Sequence, residues 1–333
     1  MKLCLIGAGA SGLLLILLLT QKGFTDIVCI DPYFDCGELQ RSWPTVISNT
    51  PWSATLESIR SHLPSLSIPS WATALNPDNT TEVSVIAKLI RELAAPILAR
   101  LQLIQSRATQ LSWDSTTKKW TVLTGTKTVL VDRLCLAQGS QAKTLDLSIP
   151  SIPLAVALDK TRLSSYVDKS TQKVLVFGTQ HSGSIVLKNL IDCSAQSITA
   201  VYKGSSVFRF ARDGDYNGIK RESAAFADNV LKGAYPAIRF ISSDDTSELI
   251  REGRTADWVV YALGFERTAI PITVDGVQTT PTYDGASGKL SCPNAWGFGI
   301  AYPSQAPDGI HWDVGISSFL EHMNRQLDFI ITL

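Results

Sequence analysis

The stretch that decides the fold runs Lys2-Leu3-Cys4-Leu5-Ile6-Gly7-Ala8-Gly9-Ala10-Ser11-Gly12-Leu13-Leu14-Leu15-Ile16-Leu17-Leu18-Leu19. Its first five residues read as a short buried strand, and Leu13 to Gln21 is apolar all round, as a helix enclosed in a core must be. Between them, Gly7-x-Gly9-x-x-Gly12 sets a glycine wherever the backbone is asked for something unusual. The first permits a tight turn, the second lets a pyrophosphate approach the backbone, and the third packs helix on strand. Ala10 and Ser11 belong to the same candidate site, at a helix N-terminus that faces the phosphate charge. Ile27 to Ile30 is the next strand, and Asp31 stands at its end, nineteen residues beyond Gly12, where an acid can accept both hydroxyls of a ribose.

Composition limits what else the chain can be. With 333 residues, 45% of them hydrophobic and 18% charged, it can bury one or two sizeable cores, and two compact domains are expected. Thirty basic residues balance thirty acidic ones without long runs of either sign, which excludes electrostatic capture of nucleic acid and suits a small neutral or zwitterionic substrate. The six cysteines, Cys4, Cys29, Cys36, Cys135, Cys193 and Cys292, show neither metal-ligand spacing nor a Cys-x-x-Cys pair, so no metal is expected. The run Gly12 to Thr20 is too short to span a bilayer and follows a glycine loop rather than a basic leader. The expected setting is therefore cytoplasmic, with no membrane partner. A homodimer is compatible with the sequence and not required by it.

Farther along, Asp35 to Ser70 reads as a long excursion rich in Ser, Pro and Trp. Apolar positions recurring at three and four between Glu82 and Ile104 predict a long amphipathic helix, with Pro96 as a potential kink. Ala108 to Asp114, Lys119 to Thr124 and Thr128 to Val131 predict an antiparallel meander. A helix is predicted from Val314 to Ile331, its N-terminus near Asp313.

The opening architecture then repeats. Lys173 to Gly178 is strand-like, Gly178-Thr179-Gln180-His181-Ser182-Gly183 makes a second loop, Ser184 to Ile191 a helix, and Ser197 to Tyr202 a strand. The outer glycines Gly178 and Gly183 are kept, and Gln180 replaces the middle one. No acid closes the second strand. Lys203 and, farther on, Arg209 are cations suited to the 2′-phosphate of NADP. Two further segments, Asp132 to Gly139 and Asp257 to Phe265, each run a strand into a small residue and a glycine, Gly139 and Gly264.

This order of motifs resembles the two-dinucleotide-binding-domain flavoproteins, the superfamily of thioredoxin reductases and flavin-containing monooxygenases, over nearly the whole chain. The resemblance implies an α/β protein: a Rossmann-like FAD domain, 1–153 with 280–333, and an inserted second Rossmann-like NAD(P) domain, 154–279. It implies FAD on Gly7, Gly9, Gly12 and Asp31, with NADPH as electron donor. The chain departs from the family at Gln138 and Leu263, which replace the threonines of the two strand crossings. It departs again after Gly299, where Ile300 and Ala301 follow and the family often has an Asp for the ribityl chain.

Within the resemblance, Trp43 and Asn49 lie where monooxygenase-like members carry a tryptophan loop and an active-site Asn. Disulfide reductases need two thiols near the flavin, and Cys36 has no partner. It is either a solitary redox cysteine or a small residue replacing a loop glycine. His62, His181, His311 and His322 form no metal spacing, though His181 and His311 are candidate proton donors. Three functions stay open: monooxygenase-like chemistry on a small molecule, reduction of a non-disulfide acceptor, and nucleotide binding without catalysis.

Overall fold

The computed structural model describes residues 1–48, 50–168, 173–208, 221–306, 309 and 312–332. They form two units, Met1–Ser140 with Arg267–Leu333, and Gln141–Glu266.

The first unit is built on a five-stranded parallel sheet among the described residues. Its order is Ala295–Gly297, Arg133–Leu136, Leu3–Ile6, Ile27–Asp31, Gln102–Gln105. Leu3 pairs with Ile27 and with Arg133, which fixes the register at the centre. Strand alternation sends the two sets of side chains into different cores. Leu3, Leu5, Ile27, Cys29 and Cys135 pack with the apolar helix Ala10–Gln21, with Val83–Leu98 and with the closing helix Ile316–Thr332. Cys4, Ile6, Val28, Ile30, Leu134 and Leu136 pack instead against the meander through Leu111, Trp113, Trp120, Val122 and Val131. Both faces are covered, as parallel sheets require.

The meander strands fall on the expected residues, Ala108–Asp114, Lys119–Thr124 and Thr128–Val131. Trp113 pairs with Trp120 across the first hairpin, their rings 5.5 Å apart. Two later strands extend this sheet: Ile272–Val274 runs parallel to Ala108–Asp114, and Val277–Thr279 pairs antiparallel with it in turn. These hydrogen bonds draw residues 267–279 into the first unit. The division therefore lies at 140/141 and 266/267, where the sequence suggested 153/154 and 279/280.

Other expectations are corrected by tertiary packing. The long helix ends at Leu98, and Gln102–Gln105 forms an edge strand of the parallel sheet. Within the excursion 35–70 lies an eleven-residue helix, Trp52–His62, that buries Trp52, Thr55, Leu56, Ser58 and Ile59. Polar Thr55 and Ser58 on the buried stripe hide its period.

Arg133 is 2% exposed in the middle of the sheet, and its guanidinium donates to the Ile330 carbonyl in the last turn of the closing helix. A cation at a helix C-terminus meets the negative end of the backbone dipole. Burial pushes its pKa down from the ordinary arginine value.

Among the described residues the second unit carries a four-stranded parallel sheet, in the order Ile238–Ser242, Ile198–Tyr202, Val174–Phe177, Trp258–Tyr261. Leu175, Phe177, Val201, Ile241, Val259 and Tyr261 make one of its cores. Glu252, 3% exposed, accepts from Thr199 Oγ1 at 2.8 Å and Arg239 Nη1 at 2.7 Å and pairs with Lys173. Burial alone would raise its pKa. The hydrogen bonds from Lys173 and Thr199 and the charges of Lys173 and Arg239 outweigh this and bring it to about 2.

Candidate functional site

Two of the three glycines in the first loop are demanded by the chain itself. Gly7 has φ +99°, and a Cβ there would lie 2.3 Å from the Ala137 carbonyl oxygen. One on Gly12 would lie 1.9 Å from the Gly7 carbonyl oxygen. Gly9 is different: its φ of −68° suits any residue, and a Cβ there would meet only the Cys36 carbonyl, 4.0 Å away. Nothing within the described chain requires a glycine at that place.

Ala10 and Ser11 open the helix Ala10–Gln21, and Ser11 supports a second turn. Gly299, at φ +80°, sits so close that a Cβ on it would come within 2.2 Å of Ser11 Oγ. The turn following the strand Ala295–Gly297 thus rests on the helix N-terminus. Ile300, at the place of the family's ribityl-binding acid, is 45% exposed.

The turn after the second strand forms the opposite wall. Asp31 accepts from the backbone N–H of Ala8 at 2.8 Å and from those of Tyr33 and Phe34, each at 2.7 Å. Gly9 and Cys36 form a parallel bridge, and a Cβ on Gly37 would lie 3.0 Å from Gly9 Cα. Cys36 holds φ +74°, a conformation that glycine adopts without cost, and is 1% exposed. Burial pushes its thiol up to about 12. Both observations match a cysteine filling a glycine position.

Trp43 is half-buried beyond the short helix Glu38–Arg41, its N–H donating to the Glu38 carbonyl at 3.0 Å. Asn49, Arg209 and His311 lie outside the described residues.

The second loop repeats the first in detail. Gly178 has φ +95° and would place a Cβ 2.3 Å from the Ala262 carbonyl oxygen, and Gly183 would place one 2.0 Å from the Gly178 carbonyl oxygen. Ala137 and Ala262 play the same part, each donating its N–H at 2.7 Å to the strand that enters the loop, at Ile6 and Phe177. The glycines after these crossings, Gly139 and Gly264, have φ +76° and +83° with open space around them. At the first crossing the Gln138 amide donates to the Thr268 carbonyl and to Tyr302 Oη, both at 3.2 Å. The middle position is where the loops part. Gln180 adopts φ −74°, ψ −161°, close to Gly9, and its amide donates to the Val207 carbonyl at 3.4 Å. His181 shares a hydrogen bond with Ser223 Oγ at 3.1 Å, and Lys203 is exposed at the end of its strand.

No family model matches the chain. Monooxygenase AgnR1 of Paecilomyces divaricatus is 26% identical to it over 373 aligned residues, covering 96% of this chain and 95% of that protein. Bacillithiol disulfide reductase Bdr (YpdA) from Staphylococcus aureus superimposes with a TM-score of 0.68 at 15% identity, covering 99% of this chain and 98% of its own. A flavin-containing monooxygenase from Stenotrophomonas maltophilia gives 0.63 at 18% identity, with 99% and 97% covered. The chain has the two-dinucleotide-binding-domain flavoprotein fold. The family resemblance read from the motif order and the α/β class with two Rossmann-like units are both borne out.

In this flavoprotein fold the contribution of Cys36 and Gly37 to the wall of the first loop was not read from the sequence. Their signal was the adjacency Asp35-Cys36-Gly37 after a strand, legible as a turn but not as one that returns to Gly9. The seating of Gly299 on Ser11 links residues 288 apart and leaves no local trace. Among the described residues, no group of three or more His, Cys, Asp or Glu side chains is arranged to hold a metal ion, and no helix is long and apolar enough to cross a membrane.

Proposed function

We propose that this chain is an FAD-dependent oxidoreductase that draws electrons from NADPH and acts on a small organic molecule in the manner of the monooxygenases. The observation that carries the reading is Gly9, a glycine that the chain's own packing does not need, set at a helix N-terminus beneath open space. A dinucleotide pyrophosphate fits that cradle, taking backbone N–H donors where a side chain would stand. The full-length similarity to a curated monooxygenase supports the reaction class.

Gly7, Gly9, Ala10, Ser11 and Gly12 hold the pyrophosphate of FAD, with Asp31 behind them and Gly299 across the helix start. Gly139 turns the chain away from the same loop. In the second unit Gly178, Gly183 and Gly264 shape the seat of NADPH, and Lys203 with Arg209 takes its 2′-phosphate. One fold neighbour is a complex of OTEMO with FAD and NADP, superimposing with a TM-score of 0.63. FAD, when bound, supplies reversible acceptance of a hydride. The protein's part is to orient the two dinucleotides and, through Trp43 and Asn49, to offer a surface and an amide to the reacting groups. The neutral charge balance and six free cysteines support a small-molecule substrate and a cytoplasmic setting.

Reduction of a non-disulfide acceptor is the second reading, favoured by the likeness to a reductase fold. Five of the six cysteines are buried and Cys193 is half-buried, which speaks against an exposed dithiol. The deciding experiment is the absorption spectrum of purified protein before and after anaerobic NADPH, followed by oxygen and candidate acceptors. A yellow protein that bleaches is expected. A colourless protein that takes up no FAD overturns the proposal.

A further inference from the structure

We propose that Gln180 sets how tightly the second loop holds its dinucleotide: the side chain, tethered to the Val207 carbonyl, stands where a pyrophosphate would reach backbone and keeps the nicotinamide cofactor exchangeable. The inference rests on reading the two loops as dinucleotide seats. Gln180 caps the helix His181–Asp192 with the backbone conformation of Gly9, and the glycines to either side meet equivalent carbonyls, so its Cβ projects into the space left open at Gly9. In a loop of this kind the middle glycine is the one that lets backbone approach a pyrophosphate. A full glutamine side chain lies there instead.

The side chain is held in place by the segment that follows the next strand. Gly204, at φ +90°, turns the chain as it leaves Ile198–Tyr202. Ser206 Oγ donates to the Phe208 carbonyl at 3.0 Å, and the Phe208 ring, 3% exposed, meets Phe240 of the neighbouring strand edge-on at 5.7 Å. This anchors the Val207 carbonyl beside the loop, where it accepts from Gln180 Nε2 at 3.4 Å and from the hydroxyl of Thr179, itself 1% exposed. A carbonyl oxygen has two lone pairs, and both are used. In the first unit the facing turn comes to Gly9 through backbone, at Cys36 and Gly37. The difference suits the two occupants. A flavin is reduced and reoxidised in place, whereas NADPH, once it has given up its hydride, leaves as NADP⁺ and is replaced at every turnover. A pyrophosphate entering the second loop must first part the Gln180 amide from Val207, and the hydrogen bond lost subtracts from its affinity.

The test titrates NADP⁺ into the full-length protein as purified, as wild type, Gln180→Gly and Gln180→Ala, and reads affinity by calorimetry. Adenosine 2′-monophosphate, which carries the 2′-phosphate and no pyrophosphate, is the second probe. Glycine is accepted at an N-cap, so the helix start is kept. Gln180→Gly is expected to tighten NADP⁺ by about five- to tenfold, the worth of one hydrogen bond no longer displaced, with the change carried by slower dissociation. Gln180→Ala, which drops the amide and keeps the Cβ, should gain about threefold, and it decides alone if the glycine variant does not fold. Affinity for adenosine 2′-monophosphate should stay within about twofold, a readout that a general loosening of the unit would not spare. Unchanged NADP⁺ affinity overturns the assignment, and so does weaker binding, which would make the amide a ligand of the pyrophosphate. An equal gain for adenosine 2′-monophosphate overturns it as well. A wild type that binds no NADP⁺ beside a glycine variant that does would sink the NADPH reading and support the role of Gln180. Failure of both to bind sinks the two together.

Discussion

Gly9 and Gln180 share a backbone conformation, φ −68°, ψ −176° and φ −74°, ψ −161°, at the N-cap of equivalent helices in two units built alike. A Cβ on the glycines to either side would meet equivalent backbone carbonyls to within 0.1 Å, at 2.3 and 2.3 Å for the first pair and 1.9 and 2.0 Å for the second. What separates the units at this point is one side chain. The N-cap position carries bare backbone in the first and a glutamine side chain in the second.

Gly9→Val is therefore expected to fold and to lose its flavin. The φ of −68° is open to valine and a Cβ there strikes no atom of the described chain, while valine is a poorer N-cap than glycine, so a loss of about 1–2 kcal/mol with the fold retained is expected. Flavin content per protein and a thermal melt check both halves. Normal flavin content in a folded Gly9→Val protein refutes the pyrophosphate assignment.

Lys203 is exposed just past the end of its strand. Reversing the charge there and at Arg209, as Lys203→Glu with Arg209→Glu, should raise the KM for NADPH by about tenfold or more while moving that for NADH little. Steady-state kinetics with both cofactors measure it. An equal effect on the two removes these residues from the site.

Cys36 should behave as a packing residue. With 1% exposure and a thiol pushed up by burial to about 12, it is expected to resist alkylation in native protein at pH 8 and to react only after unfolding. Peptide mapping after iodoacetamide reads this directly. Cys36→Ser should keep flavin reduction by NADPH and most acceptor turnover. A large loss of turnover with reduction intact would restore the solitary-cysteine reading.

His322 predicts a pH dependence of stability. It is 2% exposed, with no hydrogen-bond partner for Nδ1 among the described residues and Nε2 3.4 Å from the Tyr283 hydroxyl. Burial and then the charge of Arg325 lower its pKa to about 4 from the usual 6.5, against a smaller opposing effect of Asp284. The folded state thus resists a proton that the unfolded chain accepts. The stability is fully present above pH 6.5 and is lost as pH falls from there toward about 4. Denaturant melts across this window should show the decline in wild type and a flatter course in His322→Gln. An identical slope in the two would show that His322 does not carry it.

How much of this was legible depends on where each signal lies. The opening strand, loop and helix could be read because three glycines and an all-apolar run are local features, and the meander because its strands alternate. The helix Trp52–His62 could not, since Thr55 and Ser58 occupy buried positions on its stripe. The unit boundary was displaced because Ile272–Val274 is only three residues long and owes its place to hydrogen bonds with a strand far back in the chain. Of the site, the sequence showed which residues form the loops. It did not show that Asp31 faces backbone, because N–H groups carry no residue identity.

The first unit is drawn from both ends of the chain, Met1–Ser140 and Arg267–Leu333, while the second is a single continuous segment, Gln141–Glu266. On the ribosome this inverts the order of birth and completion. The segment synthesised second has every strand of its sheet in hand while the segment synthesised first still lacks Ala295–Gly297, and Arg133 still lacks the Ile330 carbonyl that receives it. Until translation reaches the closing helix, the apolar helix Ala10–Gln21 has one flank uncovered. The closing helix that covers this leucine flank is thus the last part of the first core to be made.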